Sequence, residues 1–274
     1  MWEVADINIQ LNGNRVTTQA QKVSGLSQED IFSKGYAVIV NGFQVSGDVL
    51  LNEGDSVFII PKGVMPTENQ LEAMLTARHT PQVHSKVKCT GVAVLGLGGL
   101  GSTVALQLAR TGVGRLHLID FDVVEPSNLN RQQYAIKHLG MLKTQALRQQ
   151  ISEVNPYISV VTDNVMLTEE NIISYIEDDD IICEAFDKPE CKAMAVNAVM
   201  ESLPQKYMVA SSGMAGLESS NTIVTRRLTS HLYICGDGIT EAKQGCGLMA
   251  PRVGVCAGHM ANMILRIITE NYNV

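Results

Sequence analysis

The sequence predicts an α/β fold: a doubly wound, mainly parallel, Rossmann-like sheet preceded by a small β-grasp α+β domain. Three observations lead there. From about Lys86 onward, strand-sized apolar segments alternate with helix-sized ones. The run Gly96-Leu97-Gly98-Gly99-Leu100-Gly101 falls between the first strand and the first helix of that series. Residues 1–64, by contrast, carry short alternating segments punctuated by Asn-Gly and Gly-Asp turns.

Ile7-Asn8-Ile9-Gln10-Leu11 alternates apolar with polar residues, Asn12-Gly13-Asn14 supplies a hairpin turn, and Arg15-Val16-Thr17 resumes as a strand. The Ser-capped polar stretch from Ser27 to Ser33 predicts a short helix. Ala37 to Val40 and Ser56 to Ile60 give two further strands, set off by Asn41-Gly42 and Gly54-Asp55. Two strands, a helix and more strands in that order suit a β-grasp domain over residues 1–64. Pro61-Lys62-Gly63 and Pro66 close it, and Thr67 to Ala77 reads as a linking helix within a connecting segment, residues 65–85.

In residues 86–274, strands are predicted at Val92–Leu95, Leu116–Asp120, Ile158–Thr162, Ile181–Ala185 and Tyr207–Ser211. Helices are predicted at Gly99–Thr111, Leu142–Val154, Thr168–Glu177 and Cys191–Ser202, with Asn155-Pro156 stopping the second. Thr222–Arg226 and Leu232–Cys235 extend the sheet in a direction the pattern leaves open. A polar, glycine-rich loop, Gly236 to Gly247, precedes a final helix from Val253 to Thr269.

A net charge of -7 without a basic stripe argues against a nucleic-acid partner. The longest apolar runs, Tyr36 to Val40 and Val253 to Ala257, fall far short of the roughly 18 residues a membrane helix needs. The acidic opening Met1 to Asp6 does not resemble a signal peptide. The expectation is a cytoplasmic protein with no membrane partner. Six cysteines, Cys89, Cys183, Cys191, Cys235, Cys246 and Cys256, lie at irregular intervals with no C-x-x-C pair, which argues against a disulfide framework and against the usual zinc site. Cys183 and Cys256 sit in apolar segments and read as core. Cys191 and Cys235 take no assignment.

In the glycine run, Gly96 permits the tight reversal, Gly98 lets backbone approach a phosphate, and Gly101 lets helix pack on strand, with Gly99 inside the same turn. A phosphate would then meet the free N–H groups of a helix N-terminus; the alternative is a strand-to-helix turn with no ligand. Asp120, ending the next strand, is placed to accept hydrogen bonds from ribose hydroxyls, or else caps a helix or faces solvent. To this point a dehydrogenase would look the same.

What departs from a dehydrogenase is Asp120-Phe121-Asp122-Val123-Val124-Glu125-Pro126-Ser127-Asn128-Leu129-Asn130-Arg131-Gln132. Gly140-x-x-Lys143, an aspartate after a strand at Asp187, and a cysteine-bearing loop ahead of the last helix follow in order. From roughly Arg78 to the C-terminus, this set resembles the signature of the ThiF, MoeB and HesA family. These are bacterial relatives of ubiquitin-activating enzymes that adenylate the C-terminal glycine of a small β-grasp sulfur carrier. The resemblance implies ATP as substrate held at Gly96, Gly98, Gly99, Gly101, Asp120 and Asp122. It places Arg131, Lys143 and Asn128 on the phosphates, Mg2+ on Asp187, and no zinc. It further implies that Cys246 forms an acyl-disulfide or persulfide, and that Arg78 reaches the active site of a neighbouring subunit in a homodimer. The implied partners are a separate ThiS-like sulfur carrier and a cysteine desulfurase as sulfur donor, with thiamine thiazole synthesis as the pathway.

The chemistry explains the motif. A carboxylate attacking the α-phosphorus of ATP builds negative charge on phosphate oxygens and on departing pyrophosphate, so cations are needed and a general base is not. By residue type alone, Lys143 reads as a solvated residue at a helix start and Arg131 as a surface loop residue. Cys246, in Gln244-Gly245-Cys246-Gly247, reads as an accessible loop thiol or an incidental one. The resemblance is what assigns them.

Two departures and two rivals remain. The first domain looks like a ubiquitin-like ThiS carrier, yet Pro61-Lys62-Gly63-Val64 runs on into the chain and offers no free C-terminal carboxylate. It could mimic a carrier, help bind one, or stabilise a dimer. The abbreviated C-terminus is the second departure. An NAD-dependent oxidoreductase would bring a hydride-handling acid or base such as Tyr-x-x-x-Lys, which the sequence lacks, and a non-catalytic carrier- or nucleotide-binding module would not retain both Arg131 and Lys143.

Overall fold

The computed structural model describes residues 5–32 and 35–274, which divide into two compact units, Met1–Ser85 and Lys86–Val274. Most of the acidic opening, Met1–Val4, and Ser33, where the helix expected from Ser27 would end, lie outside the described residues.

In the first unit, β1 (Ile7–Leu11) and β2 (Asn14–Thr18) form an antiparallel hairpin, followed by β3 (Tyr36–Val40), β4 (Phe43–Val45) and β5 (Ser56–Pro61). The strand order is β2-β1-β5-β3-β4, with β1 and β5 parallel at the centre. Asn12 and Gly13 have φ of 50° and 84°, and Asn41 and Gly42 have 50° and 80°, the paired left-handed backbone that joins strands without opposing their twist. Ile9, Val38 and Val57 bury one side of the sheet with Val23, Ile31 and Leu51. Ala37, Ile39 and Ile60 meet Ala73 and Ala77 of α1 (Glu68–His79) on the other. The segment expected only to link therefore covers this unit's sheet, and a reciprocal capping box between Thr67 and Gln70 starts it.

No helix forms at residues 27–32. Val23–Leu26 makes a single 3-10 turn instead. Beyond it, Ser27 Oγ accepts the Glu29 N–H at 3.1 Å and Asp30 Oδ1 accepts the Phe32 N–H at 3.3 Å. Short polar side chains have captured the donors a helix would use.

In the second unit, which α2 (Pro81–Lys88) leads into, a six-stranded parallel sheet is built from β6 (Gly91–Leu95), β7 (Arg115–Ile119), β8 (Ser159–Asp163), β9 (Ile181–Glu184), β10 (Tyr207–Ser211) and β12 (Leu232–Gly236). The edge strand β11 (Val224–Arg227) runs antiparallel to β12, which settles the direction left open above. The order is β11-β12-β10-β9-β6-β7-β8. All of β6 is buried, as a central parallel strand covered on both faces requires. α3 (Gly99–Arg110) packs with α4 (Lys143–Val154) and α7 (Ala250–Ile268). α5 (Ile172–Ile176) and α6 (Pro189–Ser202) bury Ile172, Ile176, Ala195 and Val199 against Ala93, Leu95, Ile182 and Met208. Chain order reverses between β6 and β9, which opens a crevice at their carboxyl ends. Among the described residues, no helix is long and apolar enough to cross a membrane.

His117, in the middle of β7, is 4% exposed and lies between two carboxylates: Nδ1 is 2.8 Å from Asp179 Oδ2 and Nε2 is 2.7 Å from Asp163 Oδ2. The fully buried Asp179 also accepts from Arg115 Nη2 at 2.7 Å. Burial disfavours the imidazolium, but the hydrogen bonds and charges of both aspartates outweigh it and raise the His117 pKa. Stabilisation from a raised pKa is complete below the unfolded value of about 6.5 and fades as pH rises through the folded value. His117→Gln is therefore expected to lower the melting temperature most in mildly acidic buffer, the gap to the parent narrowing as pH rises. A gap independent of pH in calorimetric scans would mean that the ring is neutral throughout.

Candidate functional site

The crevice contains a cavity of about 270 Å³, far more than an ion or a water needs. Following the sheet order β8, β7, β6, β9, its walls come from four strand ends in succession. Val165, Met166 and Leu167 follow β8, Asp120, Phe121 and Asp122 follow β7, Gly96, Gly98 and Gly99 follow β6, and Ala185, Phe186, Asp187 and Lys188 follow β9. Arg131, Gln132 and Lys143 complete it with Cys191, Met214, Leu248 and Val253.

Two glycines make the turn possible. Gly96 has φ +84°, and a Cβ there would lie 3.1 Å from Ala185 O. A Cβ at Gly101 would fall 1.9 Å from Gly96 O, so only glycine lets α3 begin this close to the strand. α3 carries no acidic residue in its first turn and its cap, Gly98, makes no side-chain hydrogen bond. Gly98, Gly99 and Leu100 line the cavity there, so the helix begins at its wall with no acidic side chain of its own on the free N–H groups.

Asp120 is 9% exposed, and both its oxygens already accept backbone N–H groups, Leu97 at 2.6 Å and Asp122 at 2.8 Å. Each oxygen keeps a second lone pair. Burial pushes its pKa up, against the pull of Lys143 and the backbone donors. Lys143 is 6% exposed, the first residue of α4, with Nζ 2.8 Å from Asp122 Oδ2 and 3.9 Å from Asp120 Oδ2. It is not the solvated helix-start residue that residue type alone suggested. Arg131 lies half-buried on the wall, its Nη1 donating only to neutral oxygens, Asn130 Oδ1 at 2.9 Å and Ser127 O at 3.3 Å. Asp187 is exposed at the opposite side. One carboxylate facing such a cavity fits a magnesium ion whose remaining ligands are water and phosphate oxygens. No group of three metal-ligating side chains exists among the described residues.

Asn128 and Arg78 stand apart from these. The Asn128 side chain closes its own 3-10 turn, Oδ1 accepting the Glu125 N–H at 3.0 Å, and does not line the cavity. Arg78 lies in the last turn of α1, in the first unit.

Three supports were not foreseen from sequence. Tyr134 donates its hydroxyl to Leu97 O at 2.8 Å, and burial keeps it protonated. Gln132 is 8% exposed on the cavity wall. Beneath Asp187, the fully buried Glu184 accepts the Phe186 N–H at 2.7 Å and pairs with Lys192 Nζ at 3.1 Å, while Lys192 also donates to Ser211 Oγ at 2.7 Å. Burial raises the Glu184 pKa, with Lys192 opposing. A carboxylate at the last residue of a strand was the available signal.

A family model described as the ThiF family matches residues 72–274, and one described as ThiS-like ubiquitin matches residues 7–63. The chain belongs to the ThiF family. Adenylyltransferase and sulfurtransferase UBA4 of Saccharomyces cerevisiae is 34% identical over 195 residues, 68% of this chain and 43% of that protein. Adenylyltransferase and sulfurtransferase MOCS3 of Aedes aegypti is 34% identical over 197 residues, 69% and 44%. The chain thus spans less than half the length of these ThiF-family relatives. Among solved structures, Escherichia coli tRNA N6-threonylcarbamoyladenosine dehydratase TcdA in complex with ATP superposes with a TM-score of 0.68 at 19% identity, covering 76% of this chain and 98% of that one. Escherichia coli MccB with ATP gives 0.56 at 21% identity, covering 78% and 67%. At these identities the likeness is one of fold.

The loop that carries Cys246 is anchored at both ends. Asp237 accepts from Ile239 N and Thr240 N, each at 2.8 Å, and from Arg252 Nη2 at 2.6 Å, and Arg252 also donates to Glu218 O and Ser219 O. Burial opposes the Asp237 charge, but these donors lower its pKa to about 2. Half-buried Cys246 sits in a tight turn with Lys243, and a Cβ at Gly216 would lie 3.0 Å from its Sγ. Cys183, Cys235 and Cys256 are buried, Cys235 raised to about 11 and Cys256 to about 12 by desolvation, so these three thiols stay protonated.

Lys192→Met would strand the Glu184 carboxylate. It is expected to cost about 3 kcal/mol in urea unfolding, and Glu184→Gln combined with Lys192→Met distinctly less. A single-variant cost below about 1 kcal/mol would mean that the pair is neutral.

Proposed function

We propose that this chain adenylates the C-terminal carboxylate of a small, separate ubiquitin-like carrier protein, with ATP as the nucleotidyl donor. The observation that carries the reading is the meeting of Arg131, Lys143 and Asp187, from three distant segments, on the walls of the one cavity that also holds the glycine turn. An intact redox coenzyme also carries phosphates, but it releases none, so it builds no leaving-group charge for two cations and a metal-holding carboxylate to meet. The names of the relatives, which include adenylyltransferase, support the same chemistry.

In the proposed reaction a carboxylate oxygen of the carrier attacks the α-phosphorus. The acyl–phosphate bond forms, the bond from the α-phosphorus to the bridging oxygen breaks, and pyrophosphate leaves with the electron pair; no proton moves. The N–H groups at the start of α3 hold phosphate, and the remaining lone pairs of Asp120 accept ribose hydroxyls. Arg131, tied only to neutral oxygens, keeps its whole charge for the transition state, whereas Lys143 shares its charge with Asp122. Magnesium held by Asp187 and the phosphates would neutralise the leaving pyrophosphate. Cys246 on its loop is proposed as the thiol for a subsequent sulfur step supplied by a cysteine desulfurase. Thiamine thiazole synthesis is the pathway proposed, with a cytoplasmic homodimer, completed across subunits by Arg78, as the working assembly. The fused ThiS-like unit is not the substrate, because Gly63 continues into Val64 and carries no free carboxylate.

ATP–pyrophosphate exchange tests this. Addition of a Gly-Gly-ended ThiS-type carrier is expected to stimulate exchange, and Arg131→Ala and Asp187→Ala should each lower it by roughly 100-fold. Carrier-dependent exchange that survives both substitutions would overturn the site assignment. Ordered binding of nicotinamide dinucleotide in place of ATP would overturn the reaction.

A further inference from the structure

Asn130 is joined by the two ends of its amide to two different walls of the cavity. Its Oδ1 accepts from Arg131 Nη1 at 2.9 Å, and its Nδ2 donates to Leu248 O at 3.5 Å. Arg131 and Leu248 both line the cavity, and Leu248 lies two residues beyond Cys246 on the loop that Asp237 begins. Among the described residues, no other hydrogen bond joins residues 126–134 to residues 237–249. Chemistry fixes which way the amide faces, because a guanidinium only donates and a carbonyl only accepts. An aspartate in this place would keep the first contact and set a carboxylate oxygen against Leu248 O.

The two contacts are unequal. The bond to Leu248 is long, and it depends on the amide being held at its other end. Arg131 meets only neutral acceptors, Asn130 Oδ1 and Ser127 O. A charge-assisted bond from the same guanidinium to a phosphate is roughly twice as strong as one to a neutral oxygen. A triphosphate in the cavity therefore draws Arg131 off Oδ1. The amide, left with its weaker contact alone, is free to turn, and the tie to Leu248 is lost with it. One backbone bond, from Gly216 N–H to Gly247 O at 2.9 Å, then keeps the Cys246 thiol against Gly216.

Resting on the adenylation reading above, we propose that Asn130 is a positioning residue that couples nucleotide binding to the Cys246 loop. Without nucleotide it holds Arg131 and Leu248 together; a bound triphosphate, by taking Arg131, frees the loop and its thiol. The two proposed steps are thereby ordered, since the thiol becomes available only once the nucleotide is in place. Linkage requires the converse, that a loop held closed opposes ATP to the same degree.

The experiment uses the full chain without a carrier. Alkylation of Cys246 by N-ethylmaleimide is timed by mass spectrometry of its peptide, with exposed Cys89 as the reference thiol and buried Cys183, Cys235 and Cys256 reporting that the protein stays folded. ATP affinity is measured on the same samples by calorimetry. In the parent, saturating Mg–ATP is expected to speed Cys246 alkylation about fivefold, and saturating adenosine, which fills the cavity without phosphate, to leave it unchanged. Asn130→Ala and Asn130→Asp should both alkylate without nucleotide at the rate the parent reaches with ATP, and neither should respond to ATP. They should part in affinity: Asn130→Asp, whose carboxylate holds Arg131 more firmly, should bind ATP about threefold more weakly than the parent, and Asn130→Ala no more weakly. Loss of fold alone would not separate the two variants in this way. A nucleotide response that persists in both variants, an equal response to adenosine, or an ATP-bound parent whose Cys246 rate is unchanged or lower would overturn the proposal. Of these, ATP binding with an unresponsive Cys246 leaves the adenylation reading standing, whereas a parent that binds no ATP would remove that reading and this proposal with it.

Discussion

The approach of α3 to the turn after β6 is the contact on which the rest of the site depends. Gly101 sits so near the Gly96 carbonyl that a single added carbon would overlap it, and Gly96 in turn lies against the backbone after β9. Two neighbouring strands of the sheet are thereby joined to one helix N-terminus through backbone alone. A bulkier residue at either position would push α3 outward, tilt its free N–H groups away from the crevice, and separate the β7 and β9 loops that face each other across it. Tyr134 holds the same turn through Leu97 O, and Asp120 through Leu97 N, so one residue of the turn is gripped by both its backbone polar groups.

A second regularity links three loops that are far apart in sequence. Asp120 after β7, Glu184 at the end of β9 and Asp237 after β12 each accept a backbone N–H two residues further on, and each has a cation within ion-pair distance: Lys143, Lys192 and Arg252. A chain leaving a buried parallel strand must turn with its first N–H groups unpaired by the sheet. A carboxylate at the exit satisfies them, but burying that charge demands a counterion. The cations come from helices that begin at this same end of the sheet. The device fixes the loops and also gathers charged side chains around the crevice, and the lysine beside Asp120 and Asp122 is a cavity residue as well.

This division explains what could be read from residues alone. The glycine turn, Asp120 and the alternation of strand and helix are encoded within short windows, where one residue's conformational or hydrogen-bonding need names its neighbour. Arg131, Lys143 and Asp187 were visible only as parts of a motif, because a lone cation in a loop looks the same whether it faces a cavity or solvent. Glu184 and Lys192 pair across a strand end and a helix, and Gln132 is conspicuous only once its burial is known. The helix expected near Ser27 failed for a local reason that propensity undervalues, two side chains that take the backbone donors first. α1 was legible as a helix, but its packing on the first sheet rests on Ala73 and Ala77, small residues that give little amphipathic signal.

The cavity's charge also bears on how a site for the proposed adenylation would avoid holding its anions too well. Asp120, Asp122 and Asp187 stand on its walls with Arg131, Lys143 and Lys188, so the two signs are matched in number before any ligand arrives. A wall of uncompensated cations would bind ATP and pyrophosphate tightly in every state, which lowers KM without lowering the barrier. With Lys143 held by Asp122, the attraction for a resting triphosphate would be moderated, and on the proposed chemistry the charge that develops as pyrophosphate departs would meet Arg131, whose partners are neutral. The acidic residues beside the phosphate section are thus not an obstacle to an anionic substrate. On the proposed chemistry they are what keeps the stabilisation differential.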